Sequence, residues 1–221
     1  MKREHRIDSF DHIGQLHTLI WSPEKAEGPL PGILFLNGAG ERGAAPEVLV
    51  QQGLPRYLQS GMELPAVVIC PQCPAGITWE NILFQLDTIL EDALARYPID
   101  RQRLSLTGLS MGGFGAWSYA IAHPRQFFRV APICGGGMIW RAALLKNTPI
   151  WAFHGDRDQD VPAVYSEMMV EAVNRHGGSA RLTLFPETAH NAWDPAYLHT
   201  GLLDWLLGMT DEQDEGDTIH G

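Results

Sequence analysis

Residues 107–113 are Thr-Gly-Leu-Ser-Met-Gly-Gly, and they follow an apolar run and precede a segment rich in small residues. The apolar run is typical of a buried strand, and the small residues favour a helix that lies close on a sheet. A serine with glycines two residues to either side predicts a nucleophile elbow, a strained turn in which larger flanking side chains would collide with neighbouring backbone. Ser110 is therefore the candidate nucleophile.

Strands and helices alternate along almost the whole chain on both sides of this turn. After a first predicted strand at 15–21, further strands are predicted at 33–36, 66–70, 103–107, 127–134, 149–154 and 180–185. This alternation predicts the α/β fold class, a mainly parallel sheet with helices on both faces. We expect one domain over 1–209, followed by an acidic tail at 210–221 that has no reason to fold.

The predicted helices follow from apolar residues at helical spacing. A crossover helix is expected over 82–97, with its stripe at Ile82, Leu86, Ile89, Leu90, Ala93 and Tyr97. A second begins near Pro162 and buries Val164, Met168, Ala172 and Val173. A last helix is expected from about Pro195 to Leu207.

Charge and composition exclude several classes of function. The 221 residues carry a net charge of −10, half of it from five acidic residues between 211 and 217, and no basic cluster is present. Such a chain is poorly suited to nucleic acid or to anionic membrane surfaces. The charged N-terminus has no apolar run of signal-peptide length behind it, and no segment is long enough to span a bilayer, which predicts a cytoplasmic protein.

Three cysteines make a disulfide framework improbable in a chain of this size. Cys70 and Cys73 have the Cys-x-x-Cys spacing of a redox pair or half a zinc site. No second pair completes a tetrahedral site, so thiols at the end of a strand are the favoured interpretation, and no metal is expected.

An activated serine needs a nearby imidazole to take its proton and a carboxylate to orient that imidazole. In parallel sheets such groups gather at the carboxyl ends of the strands. His190 follows the strand that ends near 185, and the loop after the strand at 149–154 carries three candidate acids, namely Asp156, Asp158 and Asp160. Spacing alone does not choose among these acids. His154, at the start of that loop, is expected to hold it in place.

Several motifs together resemble one family. They are Gly-Ala-Gly-Glu-Arg-Gly at 38–43, Pro-Gln-Cys-Pro at 71–74, Leu-Thr-Gly-Leu-Ser-Met-Gly-Gly at 106–113, Pro-Ile-Cys-Gly-Gly-Gly at 132–137, Trp-Ala-Phe-His-Gly at 151–155, Asp-x-x-Val-Pro at 158–162 and His-x-x-Trp at 190–193. From 38 to 207 the chain resembles the serine carboxylesterases of the alpha/beta-hydrolase superfamily. The likeness is to the predicted peptidase and phospholipase/carboxylesterase branch, which is related to dienelactone hydrolases.

The resemblance implies the alpha/beta-hydrolase fold and a role for each matching residue. The acid that opens Asp-x-x-Val-Pro falls on Asp158, and the base of His-x-x-Trp falls on His190. Backbone N–H groups of Met111 and Ala39 are implied as the oxyanion hole. Family members usually have His before Gly-Ala-Gly, whereas this chain has Asn37, which changes the hydrogen bonding available to that loop.

Other residues could shape the substrate pocket. Trp79 and Trp193 are candidate walls, with core or rim packing as an equal alternative. Glu41 could contact substrate or form a salt bridge with Arg42 that braces the oxyanion loop. About fourteen residues separate the strands on either side of 135–148, too few for a helical lid, so we expect an open site.

These observations predict a serine carboxylesterase without a cofactor, acting on small-molecule esters, short-chain or aryl, through an acyl-enzyme. A serine peptidase using the same triad is the alternative within the enzymes. The alternative that is not an enzyme is a hydrolase-fold protein that binds a ligand in the former active-site pocket, although such proteins usually lose a triad residue. Natural substrate and oligomeric state are not predicted.

Overall fold

A computed structural model describes residues 1–43 and 45–210 and contains an eight-stranded sheet in the order β1-β2-β4-β3-β5-β6-β7-β8. The first two pairings, β1 with β2 and β2 with β4, are antiparallel, and all the others are parallel. The strands are β1 (Lys2–Phe10), β2 (Gly14–Ser22), β3 (Leu30–Leu36), β4 (Val67–Pro71), β5 (Ile99–Leu109), β6 (Val130–Ile133), β7 (Ile150–Gly155) and β8 (Ala180–Phe185).

Helices connect the parallel strands and cover both faces of the sheet. The α-helices are α1 (Gly53–Gln59), α2 (Leu83–Arg96), α3 (Met111–Ala122), α4 (Val164–Arg175), α5 (Trp193–His199) and α6 (Leu202–Leu207). Short 3-10 helices span Ala39–Glu41, Pro46–Gln51, Trp79–Asn81 and Ile139–Leu145. The alternation predicted from the sequence is confirmed as an α/β fold with a mainly parallel sheet.

The two faces of the sheet belong to two apolar cores. Leu34 and Leu36 of β3 pack with α2, α3 and α4 on one face, whereas Ile33 and Phe35 pack with α1, α5 and α6 on the other. Successive side chains of a strand point to opposite faces, so a strand buried on both sides is a continuous apolar run. This is why β3 and β4 could be located from sequence.

The N-terminal strand was not predicted. β1 pairs along its whole length with β2, so the strand expected first at 15–21 is the second. β1 lies at the edge of the sheet and most of its residues are exposed or half-buried, so its sequence is charged rather than apolar.

The predicted last helix is two helices. Gly201 has a φ of +72° between α5 and α6, and this left-handed conformation breaks a continuous helix. The apolar residues on either side share one core, which made their spacing look like that of one helix.

The predicted buried stripe of α4 was partly wrong. Val173 is buried, but Val164 and Met168 lie on an exposed face four residues apart, and the buried partner of Val173 is Met169. Both faces of α4 carry apolar residues, so spacing alone did not identify the one that packs on the sheet.

None of the helices among the described residues combines the length and the apolar character needed to cross a membrane. The predicted acidic tail lies, from residue 211 on, outside the described residues.

Candidate active site

Ser110 lies at the sharp turn between β5 and α3. Its φ is +54° and its ψ is −119°, a conformation that is strained for a residue with a side chain. A Cβ on Gly108 would lie 2.3 Å from the Gly112 carbonyl oxygen, and a Cβ on Gly112 would lie 1.9 Å from the carbonyl oxygen of Leu36. The two glycines therefore let the turn close against β3, as a nucleophile elbow requires.

The close approach at Gly112 predicts a large loss of stability in Gly112→Ala. The added methyl group would overlap rigid backbone, so we expect the free energy of unfolding to fall by more than about 3 kcal/mol. Urea unfolding followed by tryptophan fluorescence measures this. Gly28→Ala is the matched control because a Cβ there meets no atom within 4 Å. Equal unfolding midpoints for the two variants would contradict the close approach of Gly112 to the backbone of β3.

A chain of hydrogen bonds links Ser110 to two downstream loops. Ser110 Oγ lies 2.8 Å from His190 Nε2, and His190 Nδ1 lies 2.6 Å from Asp158 Oδ2. Asp158 follows β7 and His190 follows β8, so the parallel strands bring both loops to the edge where β5 delivers Ser110. In this order an imidazole can accept the hydroxyl proton while a carboxylate stabilises its charged form.

The structure distinguishes the three candidate acids by where their carboxylates lie. Asp158 Oδ1 accepts the N–H groups of Asp160 at 3.0 Å and Val161 at 2.9 Å, which turns Oδ2 toward His190. Asp156 is exposed and accepts the N–H of Thr188 at 3.2 Å, and Asp160 is exposed at the cleft. Only Asp158 among the three bonds His190.

The pKa of Asp158 is lowered from its ordinary value. Burial raises it, but the hydrogen bonds from His190 and from the backbone N–H groups of Val161 and Asp160, together with the positive charge that His190 can carry, outweigh that effect. Asp158 therefore remains ionised when His190 takes a proton, which is what an orienting carboxylate must do.

Two further side chains, those of His154 and Cys134, contact the residues that carry the candidate acid and base. His154 Nε2 lies 2.8 Å from the Val161 carbonyl oxygen and 3.3 Å from Asp158 Oδ2. Burial lowers the pKa of His154, which favours a neutral side chain that holds the loop, the role predicted for it. The Cys134 thiol donates to the carbonyl oxygen of His190 at 3.1 Å. The contact of Cys134 with this loop was not predicted from the sequence. Its position directly before three glycines was the one local feature that could have drawn attention to it.

The loop that carries His190 is fastened to α1. Tyr57 donates a hydrogen bond to Asp194, whose other carboxylate oxygen accepts from Asn191 at 2.8 Å. The indole N–H of Trp193 donates to Gln52 at 3.3 Å, and its ring meets the His190 ring edge-on with centroids 5.3 Å apart. Tyr57 and Gln52 lie more than 130 residues from these partners, and no local sequence signal pointed to them.

The predicted oxyanion donors face the same region. Met111 is the first residue of α3, and Ala39 begins the short 3-10 helix after β3. In the part of the chain that the structure describes, neither N–H donates to a backbone carbonyl oxygen in a turn or loop, so both remain candidate donors to an oxygen of the substrate.

Asn37 takes part in a hydrogen-bond network that holds the loop carrying Ala39. Its side-chain amide donates to the Gly38 carbonyl oxygen at 2.6 Å and its side-chain oxygen accepts the Cys73 N–H at 2.9 Å. Its own carbonyl oxygen accepts the indole N–H of Trp79 at 3.0 Å. Asn37 is fully buried, and these bonds supply the local anchoring where the resembling family has histidine.

Trp79 is not a wall of the pocket, contrary to one of the two alternatives. It is fully buried, and it packs against Gly115, where a Cβ would lie 2.7 Å from the Trp79 Cβ. Its size and single polar group suit a core position beneath the oxyanion loop.

Glu41 and Arg42 do not form an ion pair with each other within the described chain. The Arg42 guanidinium donates to the carbonyl oxygens of Ala39 at 3.0 Å and Ile77 at 3.2 Å. Glu41 is 9% exposed, and its Oε2 is buried with no hydrogen-bond partner among the described residues. Burial raises the pKa of Glu41, and hydrogen bonds to backbone N–H groups only partly oppose this effect.

A cleft of about 290 Å³ opens above Ser110. Its walls are the turn at 38–41, Leu109 beside the nucleophile, and Gln52, Asp160, His190 and Trp193. The predicted site residues Ala39, Glu41 and Trp193 thus border the same cleft as Ser110 and His190. Of the other predicted site residues, Met111 directly follows the nucleophile, Asp158 supports His190 from behind, and Trp79 lies apart in the core.

Two groups of side chains lie close enough to share a metal ion. One is Cys134, His154 and Asp158, and the other is Asp158, Asp160 and His190. Both need Asp158, whose two oxygens already accept hydrogen bonds from the chain, so these residues fit hydrogen bonding better than metal binding. Cys70 and Cys73 are buried and unbonded to each other.

Comparisons with known proteins agree with this fold. The family model "Putative esterase" matches residues 78–183, which include Ser110 and Asp158. A protein of Yersinia pestis named "Putative carboxymethylenebutenolidase" is 23% identical over 228 residues, covering 89% of this chain and 82% of that protein. One of the same name from Methylorubrum extorquens is 24% identical over 163 residues, covering 66% of this chain and 52% of that protein.

Solved structures of similar fold include esterases and dienelactone hydrolases. A thermostable esterase is 28% identical with a TM-score of 0.82, and the alignment covers 93% of this chain but 62% of that one. A protein of Klebsiella pneumoniae named "Putative Dienelactone Hydrolase" is 21% identical with a TM-score of 0.66, covering 86% of this chain and 88% of that one. This chain therefore spans less than two thirds of the thermostable esterase and about half of the Methylorubrum relative.

The sheet order, the elbow, the family model and the relatives agree with one another. The chain therefore has the alpha/beta-hydrolase fold and is similar to the esterases and dienelactone hydrolases of that superfamily.

Proposed function

We propose that the chain is a carboxylesterase that hydrolyses small esters through an acyl-enzyme on Ser110. The observation that carries this proposal is the unbroken chain of hydrogen bonds from Ser110 through His190 to Asp158, at the floor of an open cleft. A serine placed in this way can be deprotonated as it attacks a carbonyl carbon.

The proposal assigns each step of the reaction to a group of the site. His190 takes the hydroxyl proton as Ser110 attacks the ester, and the N–H groups of Ala39 and Met111 stabilise the negative oxygen of the tetrahedral intermediate. His190 then gives its proton to the leaving alcohol. Water, activated by the same imidazole, attacks the acyl-enzyme and releases the acid.

The shape of the cleft favours short-chain or aryl esters. Between β6 and β7 lie Gly135–Gly137 and one short 3-10 helix, with no inserted lid in the described chain. A cleft of this volume holds an acetyl or butyryl group but buries little of a long acyl chain.

A series of 4-nitrophenyl esters from acetate to palmitate tests this proposal. We expect kcat/KM to be highest at two to four acyl carbons and to fall by at least about tenfold at twelve, because the additional methylenes would extend beyond the cleft and stay exposed to water. A maximum at long chains would contradict the short-chain preference.

The matched 4-nitroanilides test the peptidase alternative. An amide needs more protonation of its leaving group than an ester. Anilide hydrolysis as fast as ester hydrolysis would therefore favour the peptidase. A protein that turns over none of these substrates would favour a non-catalytic binding role.

A further inference from the structure

The walls of the cleft carry two acidic side chains and, apart from the imidazole of His190, no basic one. Of the described residues that line it, Glu41 and Asp160 are acidic and none is lysine or arginine. The residues outside the described ranges, 44 and 211–221, include no lysine or arginine in their sequence either. The cleft therefore has no lysine or arginine side chain that could pair with a carboxylate of a substrate.

The nearest arginine in sequence does not fill this role. Arg42 follows Glu41 directly, but both of its hydrogen bonds go to backbone carbonyl oxygens, those of Ala39 and Ile77, and it does not line the cleft. Its guanidinium is thus fixed by the oxyanion loop instead of being presented to a ligand.

Glu41 adds a second reason to exclude an anion. Its Oε2 is buried and accepts no hydrogen bond from the described residues, although the residue borders the cleft beside Ala39. Oε2 lies against Gly38, where an added Cβ would be 2.9 Å from it, so Glu41 would act on a ligand through its negative charge and not through a direct hydrogen bond. A carboxylate placed there would add negative charge without adding a donor, and like charges facing each other in a binding site weaken binding strongly.

We propose that this cleft selects esters that carry no negative charge near the scissile bond and rejects esters that bear a carboxylate. This inference rests on the proposed esterase function and narrows its substrate class. It separates the chain from the activity in the name of its curated relatives, since carboxymethylenebutenolidase denotes a hydrolase of a lactone with a carboxymethylene group.

Two aryl acetates that differ in charge but have nearly the same shape test the proposal, with each rate divided by the ester's own rate of hydrolysis by hydroxide. One is 3-carboxy-4-nitrophenyl acetate, which is anionic, and the other is 3-carbamoyl-4-nitrophenyl acetate, its neutral counterpart of the same shape. We expect kcat/KM to be at least about tenfold higher for the carbamoyl ester in the wild-type protein. The spontaneous rate is measured without protein and subtracted.

Substitutions at the two acids should reduce this discrimination. In Asp160→Asn and in Glu41→Gln, we expect the neutral-to-anionic ratio to fall by at least about threefold, and further in the double variant. Asp160 is exposed, so its substitution tests the idea even if Glu41→Gln folds poorly. Glu171→Gln makes the same change in net charge on α4, away from the cleft, and should leave the ratio unchanged.

The outcomes separate this inference from the proposed function. No turnover of 4-nitrophenyl acetate would overturn the esterase proposal itself. Turnover of that ester, with equal rates for the carboxy and carbamoyl esters, would overturn only the charge selection. A carbamoyl ester as poor as the carboxy ester, or a ratio that the acid substitutions do not move, would likewise overturn it.

Discussion

Ser110→Ala will lower kcat/KM for 4-nitrophenyl acetate by about 10⁴- to 10⁶-fold and will abolish labelling by a fluorophosphonate probe. The variant removes the atom that we propose forms the acyl-enzyme, whereas the proposed oxyanion donors and the cleft remain. The residual rate should therefore stay above that of water alone. Hydrolysis assays and mass spectrometry of the labelled protein measure the two effects.

Ser60→Ala is the control for this result, because Ser60 lies at the exposed end of α1 and bonds only the Arg56 carbonyl oxygen through its hydroxyl. It should keep wild-type labelling and activity. Labelling that persists in Ser110→Ala would place the nucleophile elsewhere. A wild-type protein that takes no label would support a non-catalytic ligand-binding protein.

Asp158→Asn will lower kcat by about 10⁴-fold while changing KM little. The amide keeps the size of the side chain, but it cannot stabilise a protonated His190 and can hold the imidazole in the wrong tautomer. Steady-state kinetics across pH 5 to 9 measure kcat and KM separately. We expect the loss in kcat, because the substitution affects the chemical step and not substrate binding.

Asp156→Asn separates this effect from a general change in the loop. Asp156 bonds the backbone N–H of Thr188 and does not reach His190, so its loss should cost less than about tenfold. If Asp156→Asn were as damaging as Asp158→Asn, or if Asp158→Asn stayed near wild type, Asp158 would not be the orienting acid.

The parallel core of the fold could be predicted because its strands are buried on both faces. β3 and β4 are unbroken apolar runs, and the elbow at Ser110 has glycines at 108 and 112, where a Cβ would lie 2.3 Å and 1.9 Å from a backbone oxygen. Such positions accept few residue types, so their sequence records the local structure. The prediction failed at Gly201, where one glycine divides an apolar pattern into two helices.

The choice of the candidate acid shows that sequence spacing alone does not determine which carboxylate is oriented toward the histidine. Asp156, Asp158 and Asp160 are two residues apart, and only the bonds from the Asp160 and Val161 backbone to Asp158 orient one of them toward His190. Spacing does not encode that turn, so the choice depended on family resemblance. The anchors Gln52 and Tyr57 depend on contacts across more than 130 residues, and no local pattern could indicate them.

The charged strand β1 also has a consequence for how molecules meet one another. Its outer side lies at the edge of the sheet, where an unpaired strand can accept a strand from a second molecule and start aggregation. Lys2, Arg3, Glu4 and Arg6 place charges along this edge, and an incoming apolar strand would have to cover them. The same charged residues that kept β1 from being predicted as an apolar strand thus disfavour pairing of this edge with a strand of a second molecule.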